Sequence, residues 1–177
     1  MKLLSRILKR CGAKATAWDQ EFKTEFWDQA TTDDPIYPVL QKYPGSVLEI
    51  GCGSGMTPAE MHFTAYTGVD FSKQAIAKAR GKNPQHQFHV SDMNVFVPMR
   101  KYNVILFRES LYYAERVSEL LNRLSPYLEP GGVFIARICS RDRHCGMIAK
   151  IHQEFDVKEA IRLETGGLIM VFAGQSA

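Results

Sequence analysis

The chain has little of what marks several functional classes. Its four cysteines, Cys11, Cys52, Cys139 and Cys145, include no CxxC pair. That argues against a disulfide framework or a zinc site, and for reduced thiols in a cytoplasmic protein. His62, His86, His89 and His152 lack metal-ligand spacing. No apolar run is long enough to span a membrane. No Lys/Arg-rich run stands out beyond the N-terminus, and the formal net charge is +3 over 177 residues. Nucleic acid is therefore not an expected partner. No repeat or low-complexity tract is present. What remains, with 45% hydrophobic and 23% charged residues, is material for one globular core.

The first fourteen residues, MKLLSRILKRCGAK, set Lys2, Arg6, Lys9, Arg10 and Lys14 among Leu3, Leu4, Ile7 and Leu8 at helical spacing. This is too short for a span and lacks the apolar stretch of a signal peptide. Packing or fraying on the domain and contact with a membrane surface are both open readings. An aromatic segment follows, with Trp18, Phe22, Phe26, Trp27 and Tyr37. Residues 1–42 are read as an N-terminal helical or lid segment, and residues 43–177 as the main domain.

From there strands and helices alternate. SVLEI (46–50), TAYTGVD (64–70), QFHVSD (87–92), YNVILF (102–107) and VFIARIC (133–139) read as strands. Thr57 as N-cap, Pro58 as first helical residue and Glu60 predict a capping box after the first strand. Ser72 predicts a cap for KQAIAKAR. A helix is expected over 114–124, stopped by Pro126 and EPGG (129–132), and another near 141–152. FDVKEAIRLE and LIMVFAG, joined across Thr165-Gly166-Gly167, must pair antiparallel. The pattern is α/β: a doubly wound, mostly parallel sheet ending in an antiparallel hairpin.

VLEIGCGSG (47–55) carries the chemistry. Ligands of such sheets bind at the carboxyl ends of the strands, and three alternate glycines let a ligand approach the main chain. A dinucleotide fingerprint needs G-x-G-x-x-G. Counted from Gly51 or Gly53, its last position falls on Met56 or Pro58, so a nicotinamide oxidoreductase fits poorly.

The order Glu49, Gly51, Gly53, Gly55 resembles motif I of class I S-adenosylmethionine-dependent methyltransferases. Asp70 ending GVDFS, Asp92 in VSDMN, FRESLYY after the fourth strand and LEPGGVFIARI before the fifth resemble its later motifs in the same order, over about 43–174. The resemblance implies a seven-stranded Rossmann-like fold with S-adenosylmethionine as cofactor and S-adenosylhomocysteine as product. It implies cofactor contacts from Glu49, Gly51, Cys52, Gly53, Gly55, Asp70, Phe71, Asp92, Met93 and Arg108. In the family the acid at Asp70 takes the ribose hydroxyls and that at Asp92 the adenine amino group. Asp70 could instead cap a helix, Asp92 serve a turn and Phe71 belong to the core. WDQEF and FRESLYY look like a bacterial subgroup of small-molecule methyltransferases whose N-terminal segment folds over the cofactor.

The expected activity is O- or N-methylation of a small-molecule acceptor. Glu109 is the candidate base, alternatively a partner of a nearby cation, with Tyr112 and Tyr113 beside it. Trp18, Trp27, Tyr113 and His144 are candidate acceptor contacts. The motif-IV turn lacks the Asn/Asp-Pro-Pro-aromatic and Pro-Cys signatures of DNA methyltransferases. A homodimer mate or partner chain could complete the acceptor site. A non-catalytic binding protein acting with a partner enzyme is the alternative function.

Overall fold

A computed structural model describes residues 14–24 and 34–174. Helices α1 (Lys14–Phe22) and α2 (Ile36–Gln41) precede a seven-stranded sheet. β1 (Ser46–Ile50), α3 (Met56–Glu60), β2 (Ala65–Asp70), α4 (Lys73–Lys82), β3 (Gln87–Val90) and β4 (Tyr102–Arg108) follow. A 3-10 turn (Leu111–Tyr113) then leads to α5 (Val117–Leu124), β5 (Leu128–Ile138), α6 (Cys145–Glu154), β6 (Phe155–Arg162) and β7 (Leu168–Gly174). The basic N-terminal segment up to residue 13, with Cys11, and also Phe26 and Trp27 lie outside the described residues.

The strand order is β3-β2-β1-β4-β5-β7-β6, parallel through β5 and antiparallel beyond it. The switch from β1 leftward to β4 rightward opens a crevice at the carboxyl ends of β1 and β4, where ligands of doubly wound sheets bind. Both faces are covered, and for this reason β1 is buried throughout. On one face Leu48, Ile50, Ile105, Phe107 and Phe134 pack with Leu120, Leu121 and Leu124 of α5 and Ile148 and Ile151 of α6. On the other, Val47, Val104, Leu106 and Ile135 pack with Ile36, Val39 and Leu40 of α2 and with Ile76 and Ala79 of α4. After buried Phe155, β6 alternates exposed with half-buried residues, as an edge strand does.

The expected elements are present with corrected ends. Gly55, in a left-handed conformation, precedes α3, so Thr57 is no N-cap and Pro58 no first residue. The Thr57 hydroxyl donates instead to buried Glu49, 3.1 Å away, which outweighs a cap on a five-residue helix. The helix expected from residue 114 begins at Val117, because LYY forms the 3-10 turn first. EPGG does not end a helix: it is the start of β5, where Leu128 pairs with Tyr102 before a register shift. The third strand stops at Val90, and Ser91–Asp92 belong to the loop. Ser72 caps α4 as expected, its Oγ accepting from the Ala75 amide at 3.1 Å.

Candidate functional site

The turn after β1 is tied to β2 by its own backbone. The amides of Gly51 and Cys52 both donate to the Val69 carbonyl, at 2.7 and 3.0 Å, and the Gly53 amide donates to Asp70 Oδ2 at 3.0 Å. Gly51 has φ +78, and a Cβ there would lie 2.4 Å from Ser110 Cβ. Gly53 has φ +54, with Phe22 Cζ 3.2 Å from where a Cβ would stand. Both conformations favour glycine, and both leave the main chain bare on the crevice side.

Asp70 stands at the tip of β2. Its Oδ1 accepts from the Ser72 amide at 2.9 Å and its Oδ2 from Gly53. Burial pushes its pKa up to about 6, against the pull of those two amides. Each oxygen keeps a lone pair for a further donor.

Helix α1 roofs this corner. Asp19 Oδ1 accepts from Ser72 Oγ at 2.5 Å and the Gln74 amide at 3.3 Å. Trp18 meets Phe71 and Tyr113 edge-on, with ring centroids 6.4 and 5.8 Å apart. Tyr113 continues to Tyr112 at 4.7 Å, and Tyr112 stacks on His144 at 4.4 Å with planes 12° apart. Four rings thus run in contact from the roof helix to the head of α6.

Beneath them lies a chain of charges on the strand tips. Arg108 Nη2 holds Asp34 Oδ2 at 2.6 Å, and Arg137 Nε lies 3.3 Å from Asp34 Oδ1. Arg137 Nη1 holds Glu109 Oε1 at 2.5 Å, and the Tyr112 hydroxyl donates to Glu109 Oε2 at 2.9 Å. In the other direction Arg108 Nη1 reaches Thr57 Oγ1 at 3.5 Å, and Glu49 takes Thr57 and, at 2.5 Å, the Tyr66 hydroxyl. The side chain of Asp34 is 3% exposed. Among the described residues Glu109 alone, glycines aside, has positive φ, at 59°. That turn aims its carboxylate back at Arg137 and Tyr112.

A family model described as a methyltransferase domain matches residues 20–168. The chain belongs to the class I S-adenosylmethionine-dependent methyltransferases. Trans-aconitate 2-methyltransferase of Escherichia fergusonii is 31% identical over 96 residues, covering 52% of this chain and 38% of that protein. The chain therefore spans well under half the length of that curated relative. Among solved structures, the N-methyltransferase NodS from Bradyrhizobium japonicum with S-adenosyl-L-homocysteine superposes with a TM-score of 0.73 at 17% identity, over 92% of this chain and 98% of that one. The glycopeptide N-methyltransferase MtfA with S-adenosyl-L-methionine gives 0.67 at 13%, over 81% and 93%. At such identities the structures share the fold.

In this member of the family the bare glycine turn and the buried acceptor Asp70 suit a ligand with hydroxyl donors. Of the expected cofactor residues, Gly51, Cys52, Gly53, Gly55, Asp70 and Phe71 come together around that turn. Glu49 does not face the crevice: it is 2% exposed and both oxygens are bonded. Burial raises its pKa to about 7, opposed by the Tyr66 hydroxyl and Arg108. Arg108 is turned to Asp34. Asp92 is exposed, and its Oδ1 accepts from the amide and the side chain of Asn94, both at 2.8 Å. Met93 is buried in the core. Glu109, Tyr112, Tyr113, Trp18 and His144 gather on the aromatic wall, while Trp27 lies outside the described residues. Asp34 and Arg137 were not anticipated. The signal for Arg137 was a charge inside VFIARIC, which a buried strand must pair; Asp34 left none.

Glu49 carries a stability prediction. Its folded pKa, about 7, lies above its ordinary 4.5. Its contribution is full below the ordinary value and is lost as pH rises through the folded one. Wild type should therefore gain urea resistance over Glu49→Gln between pH 8 and pH 6. Parallel pH profiles for the two proteins would refute this.

Proposed function

We propose that the chain methylates a small-molecule acceptor bound against the aromatic wall. The observation that carries this is the continuous contact of Trp18, Tyr113, Tyr112 and His144 above the glycine turn. Such a wall offers apolar area with few polar handles, as small-molecule sites do. The name trans-aconitate 2-methyltransferase, a relative's, points to a small organic acid as that protein's acceptor.

S-adenosylmethionine supplies, when bound, a methyl group activated by a sulfonium. The residues that would hold it are the glycine turn 51–55, Asp70 for paired hydroxyls, Phe71 against a flat ring, and the Asp92–Met93 loop for the adenine edge. Helix α1 covers the cofactor in this reading and excludes water. Alignment of acceptor and methyl in such a closed site can supply about 7–11 kcal/mol in the best cases. Glu49 supports the turn from below through Thr57 and Tyr66. Glu109, with both oxygens engaged, orients Tyr112 and Arg137 at the wall rather than standing free.

Calorimetric titration with S-adenosylhomocysteine, with NADH as control, tests the cofactor site. Asp70→Asn should weaken binding of the nucleoside by about 1–3 kcal/mol, roughly 5–150-fold. Wild-type affinity should also fall as pH drops through about 6, where Asp70 takes a proton, while the variant stays flat. An Asp70→Asn protein that is folded and binds as wild type does would remove Asp70 from the site. Methylated product from a screen of small phenols, amines and carboxylic acids tests the acceptor class.

A further inference from the structure

We propose that His144 takes the proton from the methyl acceptor. This rests on the small-molecule reading above and applies to hydroxyl or amine acceptors. Transfer of the methyl group forms a bond from acceptor oxygen or nitrogen to carbon. The sulfur–carbon bond breaks and its electron pair stays on sulfur. The acceptor's own proton must then go to a base, and here it passes to a ring nitrogen of His144, giving an imidazolium.

The assignment follows from which groups at the aromatic wall are not already committed to another partner. Glu109 is held by Arg137 at 2.5 Å and by Tyr112 at 2.9 Å. Asp70 accepts two backbone amides and keeps its other lone pairs for the cofactor hydroxyls in the reading above, Glu49 accepts two hydroxyls, and Asp34 accepts from Arg108 and the Ile36 amide while ion-paired with Arg137. Burial raises the pKa of Glu109, Asp70 and Glu49, but their oxygens are turned to partners within the fold and not to an acceptor on the aromatic wall. Tyr112 is a donor already, and burial beside Glu109 holds its proton on. The imidazole of His144 has no side-chain hydrogen bond to any described residue, yet its ring is fixed by the stack on Tyr112, 4.4 Å away and nearly parallel. Fixed orientation with free nitrogens is what a proton acceptor needs.

The surroundings keep this ring neutral before it works. His144 stands at the N-cap of α6, where the positive end of the helix disfavours an imidazolium. Burial and the Arg143 guanidinium push its pKa below the ordinary value. On its own segment the charged neighbours are Arg143, whose charge acts on the ring, and Arg141, which is paired with Asp142. Tyr112 faces it from the 3-10 turn, with Cys139 of the β5 end 3.6 Å from the Tyr112 hydroxyl, and Glu109 with Arg137 lie behind. Glu109, through Tyr112, is thus a positioning residue for the ring.

Two measurements test this. NMR titration of the His144 ring, in the S-adenosylhomocysteine complex of the full chain, needs no acceptor. It should show a neutral ring at pH 7 that titrates below its ordinary value of about 6.5. A ring still protonated at pH 7.5 overturns the proposal. Catechol, tyramine and trans-aconitate then serve as acceptor probes, with S-adenosylhomocysteine release as readout. His144→Gln should lower kcat with catechol or tyramine by about 10²–10⁴-fold and abolish the acid limb of the pH profile, with nucleoside affinity unchanged. Trans-aconitate, already ionised, should be far less affected. A His144→Gln protein that keeps wild-type kcat with catechol or tyramine overturns the assignment. Failure of the small-molecule reading looks different: no probe is methylated, while the titration still decides on His144.

Discussion

Asp34→Ala should destabilise the fold by about 3–5 kcal/mol, the usual cost of stranding a buried charge. Asp34 neutralises two guanidinium groups at once, and Arg108 and Arg137 are only 18% and 24% exposed. Its Oδ1 also accepts from the Ile36 amide at 3.0 Å, fastening the start of α2. Total stability of a domain is about 5–15 kcal/mol, so the loss is a large share. Urea unfolding at neutral pH measures it. Neutralising the whole cluster, Asp34→Leu with Arg108→Met, Arg137→Met and Glu109→Gln, should recover much of the loss, because it leaves none of these charges without its partner. A single variant within about 1 kcal/mol of wild type would show that water already solvates the two arginines.

Gly51→Ala is the second large effect. The position has φ +78, and the new Cβ would stand 2.4 Å from Ser110 Cβ. Ser110 cannot swing aside without losing the short hydrogen bond from its Oγ to the Ile50 carbonyl. Left-handed backbone costs about 1–2 kcal/mol and overpacking about 1–3. Together these predict a loss of about 2–5 kcal/mol, or roughly 4–20 °C in Tm for a chain of this size. Adding Ser110→Gly should return the steric share and leave the backbone share. If the double variant is no more stable than Gly51→Ala alone, the clash is not the cause.

The two variants touch parts of the molecule that differ in legibility. The glycine turn, Asp70 and the alternation of strands and helices could be read directly, since each leaves a local pattern. Apolar strands end at β1 and β4 where the text turns to VLEIGCGSG and FRES. The Thr57 cap could not be judged, because its competitor was Glu49, eight residues back and buried by packing. The start of β5 was displaced for a similar reason, since Leu128 pairs across the sheet with Tyr102, whereas LYY closes a local 3-10 turn before α5. Asp34 had no local mark. It sits in DDPIYP, which reads as a helix boundary, and only the fold brings it to Arg108 and Arg137, 74 and 103 positions on. Glu109 showed as an acid after a strand, but its positive φ and its arginine needed coordinates.

The order β5-β7-β6 constrains how the chain can be made. β6 leaves the ribosome before β7, yet its neighbour in the sheet is β7 and not β5. At about 5–20 residues per second, β6 waits with no strand to pair until residues 168–174 emerge. The helical layer around α6 is then left half-seated on one side. A nascent chain stalled before residue 168 should be a target for chaperones and proteases, and the last third of the sheet should lock in a single late step.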